Sequence, residues 1–397
     1  MTERLYYSDP ILLEFEAVIV ESGEHEGGRH YTVLNRSAFY PTSGGQSHDT
    51  GSLNGIAVID VIEEESGVVR HITARPVGAA GAKVSGHVDP DRRLRNRQLH
   101  TAQHILSEAF IKLYDYHTVS VHLGDEYGAV ELDTAEVDEP QLAAVERQAN
   151  QIVQQNDPVE ILSLEKAQAE ALPLRKKLDR EGSIRVIRIG EFDWSACGGT
   201  HCLETAEVGM IKITGTEKMR RRVLVKFLAG SQVTADYALR FTVTDELARS
   251  MTCHVADLPG RVEKLTSENK DLRRQLAGMQ KQLLPTRAER MAAKTQKFGR
   301  LRLVAQVVDD LEPSVAGQLA SMVAGRIGGL AMLVCGDRLL LAVGPDSGLH
   351  AGKLMKDLAA GTNLRGGGGQ SAAQAGGAEA DRLDDYLAAV GELIADD

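Results

Sequence analysis

The sequence contains two pairs of metal-binding side chains, each with a spacing of four residues. His100 and His104 lie in a segment that predicts a helix, where this spacing places both imidazoles on one face, one turn apart. Cys197 and His201 are separated by Gly-Gly-Thr, which allows a tight loop in which both side chains reach one ion. Imidazole nitrogens together with a thiolate favour zinc, so we predict one Zn2+ ion per chain.

Two alternatives to a catalytic zinc centre fit the same residues. Either pair could be incidental, or the four ligands could close a structural zinc site. Structural sites usually use paired knuckles of the CxxC kind, whereas these pairs lie about 90 residues apart and are rich in histidine. This pattern favours an open catalytic site, in which His201 either binds firmly or yields its place to water.

Thr101 follows His100 at the position where a zinc peptidase of the HExxH kind carries its glutamate base. The chain therefore lacks the general base that such a motif supplies for amide cleavage. Zinc alone lowers the pKa of a bound water to around 7 and polarises a carbonyl group. Because an activated ester needs less assistance than an amide, the motif predicts ester hydrolysis by a zinc-activated water.

The bulk composition limits the classes of protein and of partner. A chain of 397 residues suits two or three domains, and its formal net charge of −11 excludes a wholly basic nucleic-acid coat. The N-terminus has no signal-peptide pattern, and no apolar run reaches the ~18 residues of a membrane span. We therefore predict a cytoplasmic protein without membrane contact, whose four cysteines are reduced.

The order of strand-like and helix-like segments predicts an α+β protein. Residues 1–88 contain short β-branched segments bounded by turn residues, which indicates a β-barrel-like subdomain. Residues 89–230 combine helices with strands and carry all the predicted zinc ligands. A helical linker over 231–297 leads to a small α/β domain at 298–397, where apolar strands alternate with helices.

The helical linker carries an apolar seam with a seven-residue period. Its a and d positions are two interleaved series, Leu258, Leu265, Leu272 and Met279 with Val262, Asn269, Leu276 and Leu283. The seam ends at Pro285, and Asn269 would fix its register. We predict a coiled coil or a helical hairpin. A coiled coil, or the C-terminal domain, would join two chains in a homodimer, whereas a hairpin would close within one chain.

Four motifs resemble those of one known family. HTAQHIL at 100–106 and CGGTH at 197–201 resemble the two zinc motifs of the editing domain of alanyl-tRNA synthetase. FYPTSGGQSHDTG at 39–51 and TEKMRRRVLVKFLAG at 216–230 resemble its glycine-rich loop and the basic strand segment that follows. Their order and spacing agree over about 230 residues, which makes the resemblance specific.

Both ends of the chain refine this resemblance. RGGGGQSAAQAGG at 365–377 resembles the glycine-rich signature of the DHH-associated C-terminal domain of those synthetases. The chain begins directly at the editing-like region, with no room ahead of it for a class II aminoacylation domain. We therefore expect a free-standing alanyl-tRNA editing protein of the AlaX type, in the long form that has the C-terminal domain.

The resemblance implies an aminoacyl-tRNA deacylase, a carboxylic ester hydrolase that clears mischarged tRNA(Ala). The expected substrate is Ser-tRNA(Ala), with Gly-tRNA(Ala) as a second candidate, and the two His/Cys pairs would be the zinc ligands. Gln46 would orient water or the substrate carbonyl, although a turn-capping amide fits the sequence equally well. Thr42 would hydrogen-bond the serine hydroxyl, or else is a turn residue after Pro41.

Two basic runs would bind the tRNA. They contain Arg92, Arg93, Arg95 and Arg97 in RRLRNR, and Lys218, Arg220, Arg221 and Arg222 in KMRRR. One run precedes the zinc helix and the other follows the CGGTH loop, so both could flank the acceptor end. Without that placement, such runs would be interpreted as solvated surface.

Two other functions fit the same residues. One is a zinc-dependent esterase or amidase that acts on a small substrate, but the basic runs and the C-terminal domain count against it. The other is a non-catalytic tRNA-binding module whose zinc is structural.

Overall fold

The computed structural model describes residues 2–178, 181–298 and 301–395. The chain forms two compact units, residues 1–246 and 247–397, and the boundary between them falls inside one helix. None of the described helices is long and apolar enough to cross a membrane. The finer division into four domains stays a prediction.

The first unit begins with eight described strands, of which six close into a barrel. These are β1 (Glu3–Arg4), β2 (Glu14–His25), β3 (Arg29–Leu34), β4 (Arg36–Ser37), β5 (Gly51–Leu53), β6 (Ile56–Glu63), β7 (Val69–Thr73) and β8 (Lys83–Val88). The barrel strands have the order β2-β3-β7-β6-β5-β8, and the other two, β1 and β4, pair with each other. Exposed and buried residues alternate along β8 and the first half of β2, so apolar side chains such as Phe15 and Val84 fill the interior. The predicted N-terminal barrel is confirmed.

A helix of 25 residues, α1 (Pro90–Tyr114), follows the barrel directly. Asp89 caps it by accepting hydrogen bonds from the first backbone N–H groups, and proline at the first helical position favours this start. The helix ends at Asp115, whose backbone is left-handed. Residues 96–107 are all buried, so this helix forms the centre of the unit rather than its surface.

The rest of the first unit packs around α1. It contains β9 (Thr118–Leu123), β10 (Gly128–Leu132), α2 (Glu139–Gln155), β11 (Val159–Glu165), α3 (Lys166–Glu170), β12 (Ser183–Ile189), β13 (Asp193–Ala196), β14 (Ile211–Met219), β15 (Arg222–Ala229) and most of α4 (Ser231–Ser250). The strands form two sheets, β14-β15-β10-β9 and β11-β12-β13. Apolar residues of both sheets share one core with Leu99 and Phe110 of α1. The predicted helix at 138–155 is confirmed as α2, and Asp138 with Gln141 forms its capping box.

The second unit contains a mixed sheet with helices on both faces. Its elements are α5 (Leu258–Ala292), β16 (Gln296–Phe298), β17 (Leu301–Val307), α6 (Pro313–Ile327), β18 (Leu330–Cys335), β19 (Arg338–Val343), α7 (Ala351–Ala360), β20 (Arg365–Gly368), β21 (Ala372–Gly376) and α8 (Leu383–Ala395). The described strands have the order β16-β17-β18-β19-β21-β20, and β17 and β18 are parallel. Helices α5 and α6 cover one face, and α7 and α8 cover the other. The α+β class is thereby confirmed.

Helix α5 continues through Pro285, where the seam in the sequence ends. Proline lacks a backbone N–H and its ring crowds the carbonyl of the preceding turn, so it is rare inside a helix. Beyond this proline, Ala288 and Met291 are buried in the core shared with α6. Burial of these apolar side chains compensates for the proline, and the helix therefore extends past the seam.

The apolar seam of α5 is exposed along the helix. Leu265, Leu272, Leu276 and Met279 are 51%, 63%, 57% and 61% exposed. In this single chain the seam presents an apolar surface to solvent. The coiled coil and the homodimer stay predictions.

Candidate metal centre

The two His/Cys pairs of the sequence meet in space. His100 and His104 lie one turn apart on α1, and Cys197 and His201 lie in the loop after β13. Their ligand atoms all lie within 4.8 Å of one another, and the three histidines are buried whereas Cys197 is half-buried. In the part of the chain that the structure describes, no other group of three or more His, Cys, Asp or Glu side chains converges in this way.

Two glycines allow the surrounding loops to approach closely. A Cβ atom at Gly199 would lie 2.1 Å from Cε1 of His100, so only glycine fits against this ring. Gly45 has a φ of +85°, and a Cβ atom there would lie 2.5 Å from the backbone oxygen of Val121. Close backbone approach therefore explains a glycine in each of the CGGTH and GGQ motifs.

Gln46 connects the GGQ loop to both parts of the cluster. Its side chain is fully buried, and Oε1 lies 2.7 Å from Nδ1 of His100. The same oxygen accepts a hydrogen bond from the backbone N–H of Thr200 at 3.2 Å, and Nε2 donates to the Thr200 hydroxyl at 2.9 Å. Because an amide oxygen only accepts, Nδ1 of His100 carries the proton and Nε2 faces Cys197. A direct contact of Gln46 with water or substrate stays a prediction.

The other two histidines also contact an oxygen atom through Nδ1. Nδ1 of His104 lies 2.9 Å from Oδ2 of Asp193, and Nδ1 of His201 lies 3.2 Å from the hydroxyl of Thr101. Metal-ligating histidines commonly donate their second nitrogen to an oxygen in this way. The place of Asp193 near the CGGTH motif predicts at most an outer contact with the ligands, and its partner could not be assigned because it lies 89 residues away. The available signal was its position on a strand that leads directly into Cys197.

The distances from the thiolate to two of the imidazoles fit a tetrahedral zinc ion. Sγ of Cys197 lies 3.3 Å from Nε2 of His100 and 3.4 Å from Nε2 of His201. With Zn–S near 2.3 Å and Zn–N near 2.0–2.1 Å, a sulfur and a nitrogen ligand would lie about 3.5 Å apart. Three imidazoles and one thiolate are also donor types that zinc binds well. The cluster can therefore hold such an ion.

The surroundings of the cluster favour the metal-binding forms of Cys197 and His201. Burial would raise the pKa of the Cys197 thiol, but His100 and His201 outweigh burial and lower that pKa well below its usual value. Burial, with repulsion from His100, also lowers the pKa of His201 well below its usual value. Burial opposes the charged form of His104, yet hydrogen bonding to Asp193 raises its pKa. A thiolate beside a neutral imidazole is ready to bind a cation.

The structure buries two arginines of the first basic run. Arg93 is 1% exposed and pairs with Asp49 at 2.6 Å. Arg97 is 6% exposed, donates to the backbone oxygen of His201 at 2.8 Å and pairs with Glu207. Since both guanidinium groups are engaged inside the protein, they cannot serve as surface contacts for tRNA phosphates. Their structural role is to hold α1 against the GGQ and CGGTH loops.

The helical period accounts for this inward orientation. Arg93 and Arg97 each precede a zinc-motif histidine, His100 or His104, by seven residues. Seven residues are about two helical turns, so these four side chains share one face of α1. Combining the basic run with the histidine pair on one helical wheel would have predicted which arginines are internal.

Arg92 and Arg95 share a single partner at the surface. They lie 2.9 Å and 3.0 Å from Oδ1 of Asp125, whose side chain is 56% exposed. Arg92 also donates to the backbone oxygen of His48 at 2.7 Å. Solvent reaches this ion-paired group, and its contact with tRNA stays a prediction.

The second basic run forms the tip of the β14–β15 hairpin. Arg220 and Arg221 occupy the turn, and Lys218 and Arg222 beside them pair with glutamates at 3.1 Å and 3.0 Å. Among the described residues, no carboxylate pairs with Arg220 or Arg221. At ~3.3 Å per residue, β15 runs about 23 Å from this tip to Ala229, where the chain meets α1. The run is therefore distant from the point where the chain contacts Gln98 of α1, although it follows the CGGTH loop closely in sequence.

Thr42 lies in the exposed turn at the start of the GGQ loop. Its hydroxyl oxygen accepts a hydrogen bond from the backbone N–H of His48 at 3.2 Å and lies 3.1 Å from Nδ1 of the same residue. His48 lies 3.3 Å from a carboxylate oxygen of Asp60. These contacts stabilise the turn, and recognition of serine by Thr42 stays a prediction.

Comparisons with known proteins match both units. Residues 184–224 match the threonyl and alanyl tRNA synthetase second additional domain, and residues 301–396 match the DHHA1 domain. The alanine–tRNA ligase of Archaeoglobus fulgidus is 34% identical over 324 residues, covering 78% of this chain and 34% of that protein. The ligase of Methanopyrus kandleri is 30% identical over 422 residues, covering 99% and 45%. The alanyl-tRNA editing protein AlaX-L of Pyrococcus horikoshii is 39% identical over 221 residues, covering 54% of each chain.

Fold, cluster and domain matches together define a protein built from a tRNA synthetase accessory domain and a DHHA1 domain. More particularly, the chain is a homologue of the alanine–tRNA ligases and of the AlaX-L editing protein, as its motifs predicted. It spans 34% to 54% of the length of these relatives.

Proposed function

We propose that this chain is a zinc-dependent deacylase of mischarged tRNA(Ala). Ser-tRNA(Ala) is the proposed main substrate and Gly-tRNA(Ala) a second one. The main support is the convergence of three imidazoles and one thiolate. The Nδ1 atom of each imidazole already contacts an oxygen of another side chain, which leaves the three Nε2 atoms for an ion. Homology to a protein named for alanyl-tRNA editing supports the choice of substrate class.

The residues of the chain would hold the reacting groups in place. A bound zinc ion would supply Lewis acidity and lower the pKa of water. Gln46 would fix the orientation of His100, and Arg185 would fix the CGGTH loop, because its guanidinium donates to the backbone oxygen of Cys197 at 2.7 Å. Cys197 is the half-buried member of the cluster, so the ester would approach from its side.

Discrimination between serine and alanine would rest on a hydroxyl group. A site that hydrogen-bonds a substrate hydroxyl can reject the analogue that lacks it by a factor of about 10⁴–10⁵. Thr42 is the proposed partner of that hydroxyl, and its exposed position leaves it within reach of a bound ligand. Correctly charged Ala-tRNA(Ala) would then escape hydrolysis.

The proposed tRNA surface is narrower than the two basic runs. It consists of the side chains that solvent reaches, Arg92, Arg95, Lys218, Arg220, Arg221 and Arg222. The hairpin tip and the Asp125-paired arginines would contact phosphates, since such contacts bind without reading sequence.

A deacylation assay tests this function. Ser-, Gly- and Ala-tRNA(Ala) are each incubated with the protein, with and without a chelator. We expect hydrolysis of Ser-tRNA(Ala), survival of Ala-tRNA(Ala), loss of activity on chelation and recovery with added zinc. A protein that contains zinc but releases no amino acid from any of the three would rule the function out.

A second candidate is a tRNA-binding module whose zinc is structural. The presence of four protein ligands favours it, since structural zinc sites are closed by four such groups. His104→Ala separates the two, because a structural zinc predicts an unfolded variant, whereas a catalytic zinc predicts a folded but inactive one. Circular dichroism shows whether the variant is folded, and the deacylation rate shows whether it is active. A small-substrate esterase would instead cleave p-nitrophenyl esters without any effect of the hairpin arginines.

A further inference from the structure

A buried carboxylate lies directly behind one ligand of the cluster. Oδ2 of Asp193 is 2.9 Å from Nδ1 of His104, and the two side chains are 0% and 4% exposed. A carboxylate oxygen accepts hydrogen bonds and an imidazole N–H donates one. The contact therefore places the proton on Nδ1 and leaves Nε2 of His104 for an ion.

Asp193 is itself held by two further side chains. Nε of Arg175 lies 2.7 Å from its Oδ1, and the Ser195 hydroxyl donates to the same oxygen at 3.1 Å. The backbone N–H of Arg175 donates to the backbone oxygen of Trp194 at 3.2 Å, which fixes the arginine beside the strand. Arg175 also donates through Nη2 to Oδ2 at 3.3 Å. The arginine therefore contacts both oxygens of the carboxylate, whereas the serine contacts Oδ1 and the histidine contacts Oδ2.

The same strand carries a ligand of the cluster. Side chains alternate along a strand, so Asp193, Ser195 and Cys197 lie on one side of β13 and its extension. Ser195 and Asp193 are buried, and Cys197 is half-buried. One strand therefore fixes the distance between Asp193, which orients His104, and the thiolate ligand Cys197.

The three histidines have unequal partners. His100 faces an amide oxygen and His201 faces a hydroxyl, whereas His104 alone faces an ionised carboxylate. Hydrogen bonds to an ionised group are roughly twice as strong as those between neutral groups. The imidazole on the carboxylate is consequently the most firmly oriented of the three.

We propose that Asp193, locked by Arg175, is a positioning residue that makes His104 the anchoring ligand of the metal centre. Its role depends on the proposed zinc centre but not on the identity of the tRNA substrate. Asp193 fixes the tautomer and the ring orientation of His104, and the strand it shares with Cys197 sets the distance between the two ligands. Arg175 neutralises the buried carboxylate, so that the pair remains inside the protein without an uncompensated charge.

Metal binding by variants of Asp193 tests this role without any tRNA. Zinc affinity is measured by competition with a chromogenic chelator for the wild type, Asp193→Asn and Asp193→Ala. We expect a 10–100-fold weaker affinity, typical of lost outer partners of ligating histidines, with the alanine variant the weaker. The cobalt-substituted variants should also show altered d–d absorption bands, which report ligand geometry.

Three further variants separate positioning from charge and from folding. Glu108→Gln removes a carboxylate near Asp193 that bonds to Lys112 rather than to a ligand, so it should keep wild-type affinity. Thr101→Val removes the weaker partner of His201 and should cost less affinity than Asp193→Ala. The double variant Arg175→Gln/Asp193→Asn leaves no unpaired buried charge, so it should fold and still bind zinc weakly.

Particular results would overturn this role. Zinc affinity within about 3-fold of wild type in either Asp193 variant, or in the double variant, would do so. An equal loss of zinc affinity in Glu108→Gln would show that the removal of any nearby negative charge, rather than of the contact with His104, weakens binding. A wild type that binds zinc and loses it on mutation of Asp193, but deacylates no tRNA, would uphold the positioning role while refuting the proposed function.

Discussion

Gln46 acts through two other side chains, and its substitution tests that role at the residue scale. Gln46→Ala removes the acceptor for His100 and for the N–H of Thr200. We expect deacylation to slow by about 10–100-fold, as for other outer partners of ligating histidines. Gln46→Glu keeps both accepted hydrogen bonds and should retain most of the activity. Single-turnover deacylation at saturating zinc measures both variants, and equal losses in the two would contradict the positioning role.

His71 predicts an acid-sensitive barrel. Its Nε2 lies 2.7 Å from the Ser37 hydroxyl, its Nδ1 lies 3.0 Å from the backbone oxygen of Thr32, and burial lowers its pKa to about 4. As pH falls, the unfolded chain therefore protonates His71 before the folded chain does. The free energy of unfolding is at its full value above about pH 6.5 and decreases as pH falls toward 4, by about 3 kcal/mol in total. His71→Gln should flatten this slope. Urea unfolding followed by the fluorescence of Trp194, the one tryptophan, measures it.

The sequence predicted the metal ligands but not what holds them. Two spacings of four residues on a helix and in a glycine loop were enough to identify the ligands. The contact of His104 with Asp193 spans 89 residues, and no local pattern encodes a contact over that distance. The basic run is a different case, because charge alone does not distinguish the partly exposed Arg92 from the fully buried Arg93.

At the element scale, the Arg93–Asp49 pair joins α1 to the loop between β4 and β5. Arg93→Met leaves the carboxylate of Asp49 buried and unpaired, which should lower the free energy of unfolding by about 3–5 kcal/mol. Arg93→Met/Asp49→Asn removes both charges and should recover part of that loss. Arg92→Met, whose partner is largely exposed, should cost less than about 1 kcal/mol. Urea unfolding compares the three variants, and equal effects of Arg92→Met and Arg93→Met would contradict a connecting role.

The seam of α5 predicts an interface between two copies of the chain. Leu272 and Leu276 are more than half exposed, and Asn269 at a core position would fix a parallel register. Leu272→Lys/Leu276→Lys should therefore convert a dimer into a monomer, seen by light scattering after size-exclusion chromatography. Lys270→Glu/Arg274→Glu, which changes charge outside the a and d positions, should remain dimeric. A wild type that is already monomeric would contradict this interface.

The periodicity of apolar residues and their helix or strand propensity predicted the main elements, whereas tertiary packing determines where α5 ends. Capping residues fixed the starts of α1 and α2, as Asp89 and Asp138 confirm. The continuation of α5 past Pro285 depends on partners in α6, which are distant in sequence. Local signals therefore set where helices begin better than where this one ends.

For the whole molecule, an acidic chain would bind tRNA through a few local cations. Arg220→Glu/Arg221→Glu should weaken tRNA binding and reduce the slope of log affinity against log salt by about 1.4–1.8, the loss of two phosphate contacts. The matched pair Arg29→Glu/Lys83→Glu makes the same change of net charge on exposed barrel residues and should leave the slope unchanged. Fluorescence anisotropy with labelled tRNA at several salt concentrations measures both. Equal effects of the two pairs would show that overall charge, rather than the hairpin tip, governs binding.

The alternation along β13 also limits how this region can change during evolution. Deleting or inserting one residue between Asp193 and Cys197 would move one of them to the opposite side of the strand, because side chains have a period of two. Asp193 could then no longer contact His104 while Cys197 binds the same ion. Substitutions at Trp194 or Ala196 leave this spacing intact, so relatives that keep the cluster should vary there in residue type but not in length.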